Sequence, residues 1–235
     1  ILASTSPSST LRKKSQVRRY LAAYFADVPF EDLDGRSEKI MARISMDHLE
    51  FGRNRRQGEA LLRIYNPTKK EHGYKSTFTF VEMVNDDMPF LVDSVTAAIN
   101  RQNLGVHITV HPIIHVCRNS KGKLEAIAKQ DDDDALSESY IRFAITRETD
   151  PEALERLRVE ITKVLSDVRV AVRDWGKMRN RMRESRDLLE QGPKGADPLV
   201  RSESQALLDW MADEHFTFLG YREYTLERRG KRLFL

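Results

Sequence analysis

A short acidic segment in the first half of the chain has the residue types best suited to binding a small molecule. Asn85, Asp86 and Asp87 follow an apolar run, and Asp93 comes shortly after them. Their oxygen atoms can accept hydrogen bonds from an ammonium group, while the free N–H groups at the start of the helix predicted next attract a carboxylate. An amino acid has both groups, so we predict Asn85, Asp86, Asp87 and Asp93 as ligand-binding residues. The alternative is that Asp86 and Asp87 only cap the helix.

Three histidines form the other pattern that could bind a ligand, in this case a metal ion. His107, His111 and His115 are spaced four residues apart, and on a helix this spacing would place them on one face. The valine, isoleucine and threonine residues between them favour a strand instead. Residues four apart in a strand lie about 13 Å apart, too far to share one metal ion. We therefore predict no metal site.

The sequence shows no catalytic machinery. It contains neither G-x-G-x-x-G nor G-x-x-x-x-G-K-[ST], the glycine-rich turns that bind nucleotides. Ser94 and Ser139 lack the G-x-S-x-G context of a serine nucleophile. The single cysteine, Cys117, has no activating neighbour other than His115. We therefore predict no catalytic residue and no cofactor bound by this chain.

A strand, a helix and a second strand must position the acidic segment. Residues 77–84 alternate in a β-rich run, and residues 85–87 are predicted to break it. Pro89 suits the first turn of a helix. The apolar face of this helix consists of Leu91, Val95, Ala98 and Ile99. Alternating apolar residues between Val106 and Val116 then predict one further strand.

Two predicted helices and a loop precede this unit. Residues 11–26 form an amphipathic helix with a basic outer cluster, and Asp34 or Ser37 starts the next helix. The loop at residues 52–58 is basic and is interpreted as a surface connection. Residues 59–65 predict a strand that forms a hairpin with the strand before the acidic segment.

The second half of the chain predicts a hairpin, a strand and a long helix. Residues 119–122 form the hairpin turn, and residues 139–146 the strand. A helix then starts at Pro151 and continues to Glu190 with a bend near Gly176, and residues 216–226 predict a strand. The predicted divisions are an N-terminal helical segment at 1–56, an α+β module at 57–173, a helical extension and linker at 174–199, and the start of a second module at 200–235.

Charge and cysteine content limit the function classes. The net charge is only +3, from 39 basic and 36 acidic residues, so we predict no nucleic acid partner, with the basic residues 12–19 and 53–56 as the open alternative. Residues 131–134 are consecutive aspartates without the spaced ligands of a calcium loop, and a solvated loop is predicted. One cysteine favours a reducing cytoplasm. No apolar run approaches the roughly 18 residues that span a membrane, and both ends suggest a fragment.

Three separated motifs resemble those of one protein family. FVEMVNDDMPFLVDSV at residues 80–95, GVHITVHPIIHV at 105–116 and DEHFTFLGYREY at 213–224 occur in this order. They resemble the N-terminal region of the large bacterial NAD-specific glutamate dehydrogenases. The resemblance implies an α+β fold: an ACT-like βαββαβ module with an antiparallel sheet, preceded by N-terminal helices and followed by a long helix and the start of a second module. ACT modules often sense amino acids and usually have a glycine where this turn has Phe90.

The resemblance also implies what the parent protein does. Such an enzyme converts L-glutamate to 2-oxoglutarate and ammonia with NAD as its cofactor, in a catalytic domain outside these residues. The chain would then be a non-catalytic regulatory and assembly region that self-associates as a homo-oligomer, with a small amino acid as the candidate effector. The alternative is a purely structural oligomerisation module that binds no small molecule.

Overall fold

The structure is a computed structural model that describes residues 11, 13–29, 37–191, 197–224, 227–229 and 232–234. The chain divides after Val168 into two compact units. Helices and an antiparallel sheet share the first unit, so the predicted α+β class is confirmed. Among the described residues, no helix is both long enough and apolar enough to cross a membrane.

The first unit alternates helices and strands. In chain order it contains helices α1 (Lys14–Tyr24) and α2 (Glu38–Phe51), strand β1 (Leu61–Tyr65), the short helix α3 (Lys69–His72), strand β2 (Thr79–Asp86), helix α4 (Leu91–Arg101), and strands β3 (Val106–Val110), β4 (Ile113–Arg118), β5 (Leu124–Ile127) and β6 (Leu136–Ile145). Helix α5 (Pro151–Glu190) begins in this unit. Its start is confirmed, because the Asp150 carboxylate accepts hydrogen bonds from the N–H groups of Glu152 and Ala153.

The sheet has the strand order β1-β2-β6-β4-β5, with β3 also paired to β6, and every pairing is antiparallel. The hairpins β1–β2 and β4–β5 are confirmed. The single strand predicted from Val106 to Val116 is wrong, because β3 and β4 separate at His111 and Pro112. Proline has no N–H for a ladder hydrogen bond. The Pro112 carbonyl instead accepts a hydrogen bond from the Tyr140 N–H at 3.0 Å.

Helices α1 and α2 cover one face of the sheet. Val84 and Tyr140 lie opposite each other in β2 and β6 and belong to an apolar cluster with these helices. The helical members of the cluster are Val17, Tyr20, Leu21, Tyr24 and Leu49, so the apolar stripe predicted for α1 is confirmed. Ser37 precedes α2, while Asp34 lies outside the described residues.

The same face contains a buried ion pair. Glu82 and Arg142 lie opposite each other in β2 and β6, with Arg142 Nε 3.4 Å from Glu82 Oε1. Arg63 of β1 donates from Nε to Glu82 at 2.7 Å, and the Tyr65 hydroxyl donates at 3.0 Å. Burial alone would raise the pKa of Glu82, but His48, Arg142 and Arg63 bring it below its ordinary value.

The opposite face of the sheet carries apolar residues that match apolar residues on two helices. Val81, Met83, Ile141 and Phe143 are fully buried there. Helices α4 and α5 carry the complementary stripes, formed by Leu91, Val95, Ala98, Ile99, Leu157, Ile161 and Leu165. Arg101 of α4 forms an ion pair with Glu160 of α5 at 2.7 Å, so the two helices lie side by side. We infer that they cover this face together.

The second unit contains the rest of α5, which is one uninterrupted helix to Glu190 and has no break at Gly176. Helix α6 (Pro198–Trp210) and a π-helical turn follow. Residues 216–224 have no regular secondary structure, so the strand predicted there is wrong for these residues. Strands β7 (Glu227–Arg229) and β8 (Arg232–Phe234) form a hairpin. A strand needs a partner for its backbone, and no described strand pairs with residues 216–224. The four-part division of the chain stays a prediction.

Candidate functional site

The acidic segment does not end its strand as predicted. Strand β2 continues through Asn85 and Asp86, which pair with Ser139 and Glu138 of β6. The ladder with β6 outweighs the weak strand propensity of asparagine and aspartate. The turn therefore consists of residues 87–90, and α4 begins after Pro89 rather than with it.

Phe90 is the residue immediately before α4, and its backbone is left-handed, with φ 70° and ψ 0°. Glycine adopts this conformation without steric cost, which fits the glycine that ACT modules usually have here. The Phe90 side chain makes no capping hydrogen bond. The hydrogen bonds described for Asp86 and Asp87 join them to Arg55, Gly58 and Ser139, and a capping role for these two residues stays a prediction. The Phe90 side chain is 37% exposed and lies at the surface of the turn.

Asp86 pairs with a buried arginine. Its carboxylate accepts hydrogen bonds from Arg55 Nη2 at 2.8 Å and from the Gly58 N–H at 2.9 Å. Arg55 is 1% exposed and also donates from Nη2 to Glu138 Oε1 at 2.6 Å. Burial alone would lower the pKa of Arg55, but Glu138 and Asp86 raise it above its ordinary value. Asp86 therefore fixes the loop that contains Arg55.

Arg118 completes this charge cluster. Its Nε and Nη2 lie 2.6 and 2.7 Å from the two oxygens of Glu138. The interpretation of residues 52–58 as a surface connection is thus wrong at Arg55, which is also too buried to belong to an exposed basic patch. Local sequence gives no signal for this burial, because Asp86 and Glu138 are 31 and 83 positions away in the chain.

Asp87 faces a different set of groups. Its Oδ1 accepts a hydrogen bond from the Ser139 hydroxyl at 2.7 Å, and Ser139 Oγ lies 3.0 Å from His111 Nε2. Since Ser139 gives its one proton to Asp87, the N–H of His111 must donate to Ser139. Burial lowers the pKa of His111, while Asp87 and Asp27 act in the opposite direction. The result is a row of three hydrogen-bonded groups. The neutral imidazole of His111 donates to the Ser139 hydroxyl, which in turn donates to the exposed carboxylate of Asp87.

The other predicted ligand residues have different surroundings, although Asn85 lies opposite Ser139 in the ladder between β2 and β6. Asn85 is fully buried in β2. Asp93 is exposed in the first turn of α4. The structure therefore leaves Asp87 as the predicted residue that combines exposure with ordered polar neighbours. Sequence reasoning missed Ser139 and His111 as its partners, because they come from β6 and from the break between β3 and β4.

The histidines do not converge. His107 Nε2 lies 3.0 Å from Thr146 Oγ1, and His115 Nδ1 lies 3.1 Å from Ser137 Oγ. Each imidazole thus pairs with its own hydroxyl. Within the described part of the chain, no group of three histidine, cysteine, aspartate or glutamate side chains could bind a metal ion.

The turn, its strands and its helices match a known family. A family model described as the glutamate dehydrogenase ACT1 domain covers residues 20–161, which include the whole sheet and the candidate turn. The chain belongs to this family. The resemblance inferred from the three motifs is therefore confirmed, together with the ACT-like fold.

Two relatives extend the match beyond the ACT1 domain. The NAD-specific glutamate dehydrogenase of Halomonas elongata is 33% identical over 223 residues, which cover 93% of this chain and 14% of that protein. The protein of the same name from Pseudomonas aeruginosa is 33% identical over 215 residues, 90% of this chain and 13% of that protein. The chain thus spans about one seventh of the length of the curated relatives it matches.

Proposed function

We propose that this chain is a non-catalytic regulatory and assembly region of an NAD-specific glutamate dehydrogenase. The names of two relatives that match nine-tenths or more of the chain support this assignment. The parent enzyme would oxidise L-glutamate to 2-oxoglutarate and ammonia, with NAD as the electron acceptor. A location in the cytoplasm belongs to the same proposal and rests on the single cysteine.

The chemistry of the parent enzyme lies in other parts of the polypeptide. This chain has no glycine-rich nucleotide-binding turn. Two arginines next to the candidate turn, Arg55 and Arg118, are already paired with Glu138. These residues stabilise the fold, and neither NAD nor glutamate is assigned to them.

The row of Asp87, Ser139 and His111 at the start of α4 is the observation that supports effector binding. The Asp87 carboxylate can accept a hydrogen bond from an ammonium group, and the first N–H groups of α4 favour a carboxylate. An amino acid presents both groups at short separation. The proposed effector is therefore a small amino acid.

Calorimetric titration of the chain with a panel of amino acids tests this role. We expect saturable binding of one amino acid that Asp87→Asn weakens by at least about tenfold, equivalent to about 1.4 kcal/mol. The control is Asp131→Asn, which removes an exposed carboxylate from the solvated loop and should leave the affinity unchanged. Binding that survives Asp87→Asn unaltered would refute the site while leaving the regulatory role intact.

A purely structural oligomerisation module is the second candidate. It is favoured by the commitment of Asp86 to Arg55 and by the bulky Phe90 in place of glycine. This candidate requires that no amino acid in the panel binds and that the chain still self-associates. A chain that binds an amino acid saturably would exclude it.

A further inference from the structure

A cavity in the second unit lies between helix α5 and the segment of residues 216–224. Its volume is about 480 Å³, within the roughly 300–1,000 Å³ that is typical of small-molecule sites. One wall consists of α5 residues between 170 and 181, and the other of residues 219–221. All of them belong to the second unit. Residues 219–221 come from the last of the three sequence motifs, to which the proposed function assigns no role.

The segment opposite α5 is held in place although it has no regular secondary structure. Phe218 is only 7% exposed, and its ring packs edge to face against that of Phe216. The Tyr221 hydroxyl donates to Glu223 Oε2 at 3.2 Å, and the same oxygen lies 3.7 Å from Arg181 Nη2 of α5. Glu223 therefore ties the segment to α5, and the cavity between them is a feature of the folded unit.

Much of the cavity wall is apolar. Its apolar side chains are those of Val170, Ala171, Met178 and Leu219. Met178 is 7% exposed, whereas Leu219 is 72% exposed, so an apolar ligand would remove water from a large aliphatic surface. Methionine is flexible and adapts to the shape of an aliphatic neighbour. The wall therefore suits the hydrocarbon part of a small molecule.

The charge of this part of α5 favours an anion. Residues 169–186 contain seven basic and two acidic residues, a net charge of +5. Asp174 serves two cations at once, with 3.0 Å to Arg173 Nη2 and 3.4 Å to Lys177 Nζ. Arg181 already has Glu184 and Glu223 as partners. Lys177, which also lines the cavity and whose side chain is 83% exposed, is therefore the cation best able to pair with a ligand.

We propose that this cavity binds a small linear carboxylate with an aliphatic chain. The carboxylate pairs with the Lys177 ammonium group, and the chain lies against Met178 and Leu219. A small ligand without the chain would leave the aliphatic wall in water, and a cationic ligand would meet the positive charge of α5. The site belongs to the second unit and does not depend on amino acid binding at the candidate turn.

Calorimetric titration of the whole chain with octanoate tests the proposal. We expect saturable binding of one octanoate per chain. Octylammonium has the same chain with the opposite charge, and acetate has the carboxylate without the chain. Neither of these two molecules should bind saturably, because each lacks one of the two features that the cavity recognises.

The charge contact is tested with Lys177→Gln. The lysine is exposed, so we expect this variant to bind octanoate about three- to fivefold more weakly, as for an exposed ion pair. Lys163→Gln is the matched control, since Lys163 is an exposed lysine of α5 that does not line the cavity. This control should bind octanoate like the unmodified chain.

The cavity itself is tested with Ala171→Leu, which adds aliphatic atoms to its wall. We expect octanoate binding to weaken by at least about tenfold, with a thermal unfolding midpoint close to that of the unmodified chain. Val159→Leu enlarges an exposed side chain of the same helix outside the cavity and should leave binding unchanged.

Hydrogen exchange locates the ligand without a substitution. Amides of residues 219–221 should exchange more slowly when octanoate is added, whereas those of residues 61–65 in β1 should not change. An absence of saturable octanoate binding, or binding without slower exchange at 219–221, would overturn the proposal. Octylammonium binding as tightly as octanoate would overturn the recognition of a carboxylate. Each of these failures would leave the amino acid site at Asp87 and the regulatory role as they stand.

Discussion

The side chains of Asp86 and Arg55 are joined by an ion pair, with 2.8 Å between Oδ1 and Nη2, and no part of the Arg55 side chain is exposed. Asp86 is thus removed from the set of groups that could bind an effector. The same contact ties the loop after α2 to the last residue of β2, directly before the candidate turn. The sequence predicts the Asp86 carboxylate as a ligand group, whereas in the structure this carboxylate stabilises the fold.

Replacing Arg55 with methionine should destabilise the fold. Removing one partner of a buried ion pair costs roughly 3–5 kcal/mol. Arg118 still neutralises Glu138, so we expect the free energy of unfolding to fall by about 3 kcal/mol, near the lower limit of that range. Urea denaturation measures the loss. The neighbouring Arg56 is exposed, and Arg56→Met should change the value by no more than about 0.5 kcal/mol. Equal losses for the two variants would contradict the buried role of Arg55.

Substitutions at Phe90 should reveal backbone strain in the candidate turn. A non-glycine residue in the left-handed region costs about 1–2 kcal/mol, and Phe90 has a φ of 70°. Both Phe90→Gly and Phe90→Ala remove the ring, but only glycine removes the Cβ. We therefore expect Phe90→Gly to unfold with a free energy about 1 kcal/mol higher than that of Phe90→Ala, by urea denaturation. Indistinguishable variants would mean that the turn relaxes in solution.

Acid should destabilise the first unit through His48. This fully buried imidazole has Nε2 3.2 Å from the Met83 carbonyl oxygen and Nδ1 3.0 Å from the Tyr24 hydroxyl. A carbonyl can only accept, so Nε2 carries a proton, and in the neutral ring Nδ1 accepts from the Tyr24 hydroxyl. Burial lowers the pKa of His48 from 6.5 to about 4. The unfolded chain therefore takes up a proton before the folded chain does. The free energy of unfolding should fall by about 3 kcal/mol as the pH drops from 6.5 to 4.

His48→Gln isolates this contribution. Urea denaturation at pH 7 and at pH 4.5 should show a variant that is less stable at pH 7 but loses less stability on acidification. Carboxylates also begin to titrate at the lower end of this window, but the variant and the unmodified chain have the same carboxylates, so the difference between the two proteins reports on His48. His111, whose pKa burial also lowers, contributes in the same direction in both proteins. An equal loss in the variant and the unmodified chain would exclude His48 as the responsible group.

Gly176 provides a test of the continuous helix α5. A Cβ added there would meet no atom within 4 Å. Alanine in place of glycine in a helix interior gains roughly 0.5–1 kcal/mol, so Gly176→Ala should raise the free energy of unfolding by about that amount. Gly52→Ala is the opposite case, since its Cβ would lie 2.6 Å from the hydroxyl of the buried Tyr140, and it should destabilise. A loss with Gly176→Ala would indicate the bend that the sequence predicts.

The strands and helices of the ACT1 domain could be predicted where local pattern and tertiary contacts agree. The apolar stripe of α1, the Asp150–Pro151 helix start and the hairpin of β4 and β5 each depend on neighbouring residues, through periodicity, capping or turn chemistry. Failures occurred where distant residues decide. Asn85 and Asp86 are strand residues because β6 pairs with them. Residues 216–224 do not form a strand, because no described strand pairs with them.

The sequence by itself determined the family, the α+β class and the order of strand, turn and helix around the acidic segment, because motif order and hydrophobic periodicity are properties of neighbouring residues. Only the tertiary structure decided which carboxylates remain available. Asp86 turns to Arg55 and Asp87 to Ser139, although they are adjacent in the chain, because successive residues at the end of a strand face opposite sides of the sheet. Their partners come from loops and strands that only folding brings to those two sides.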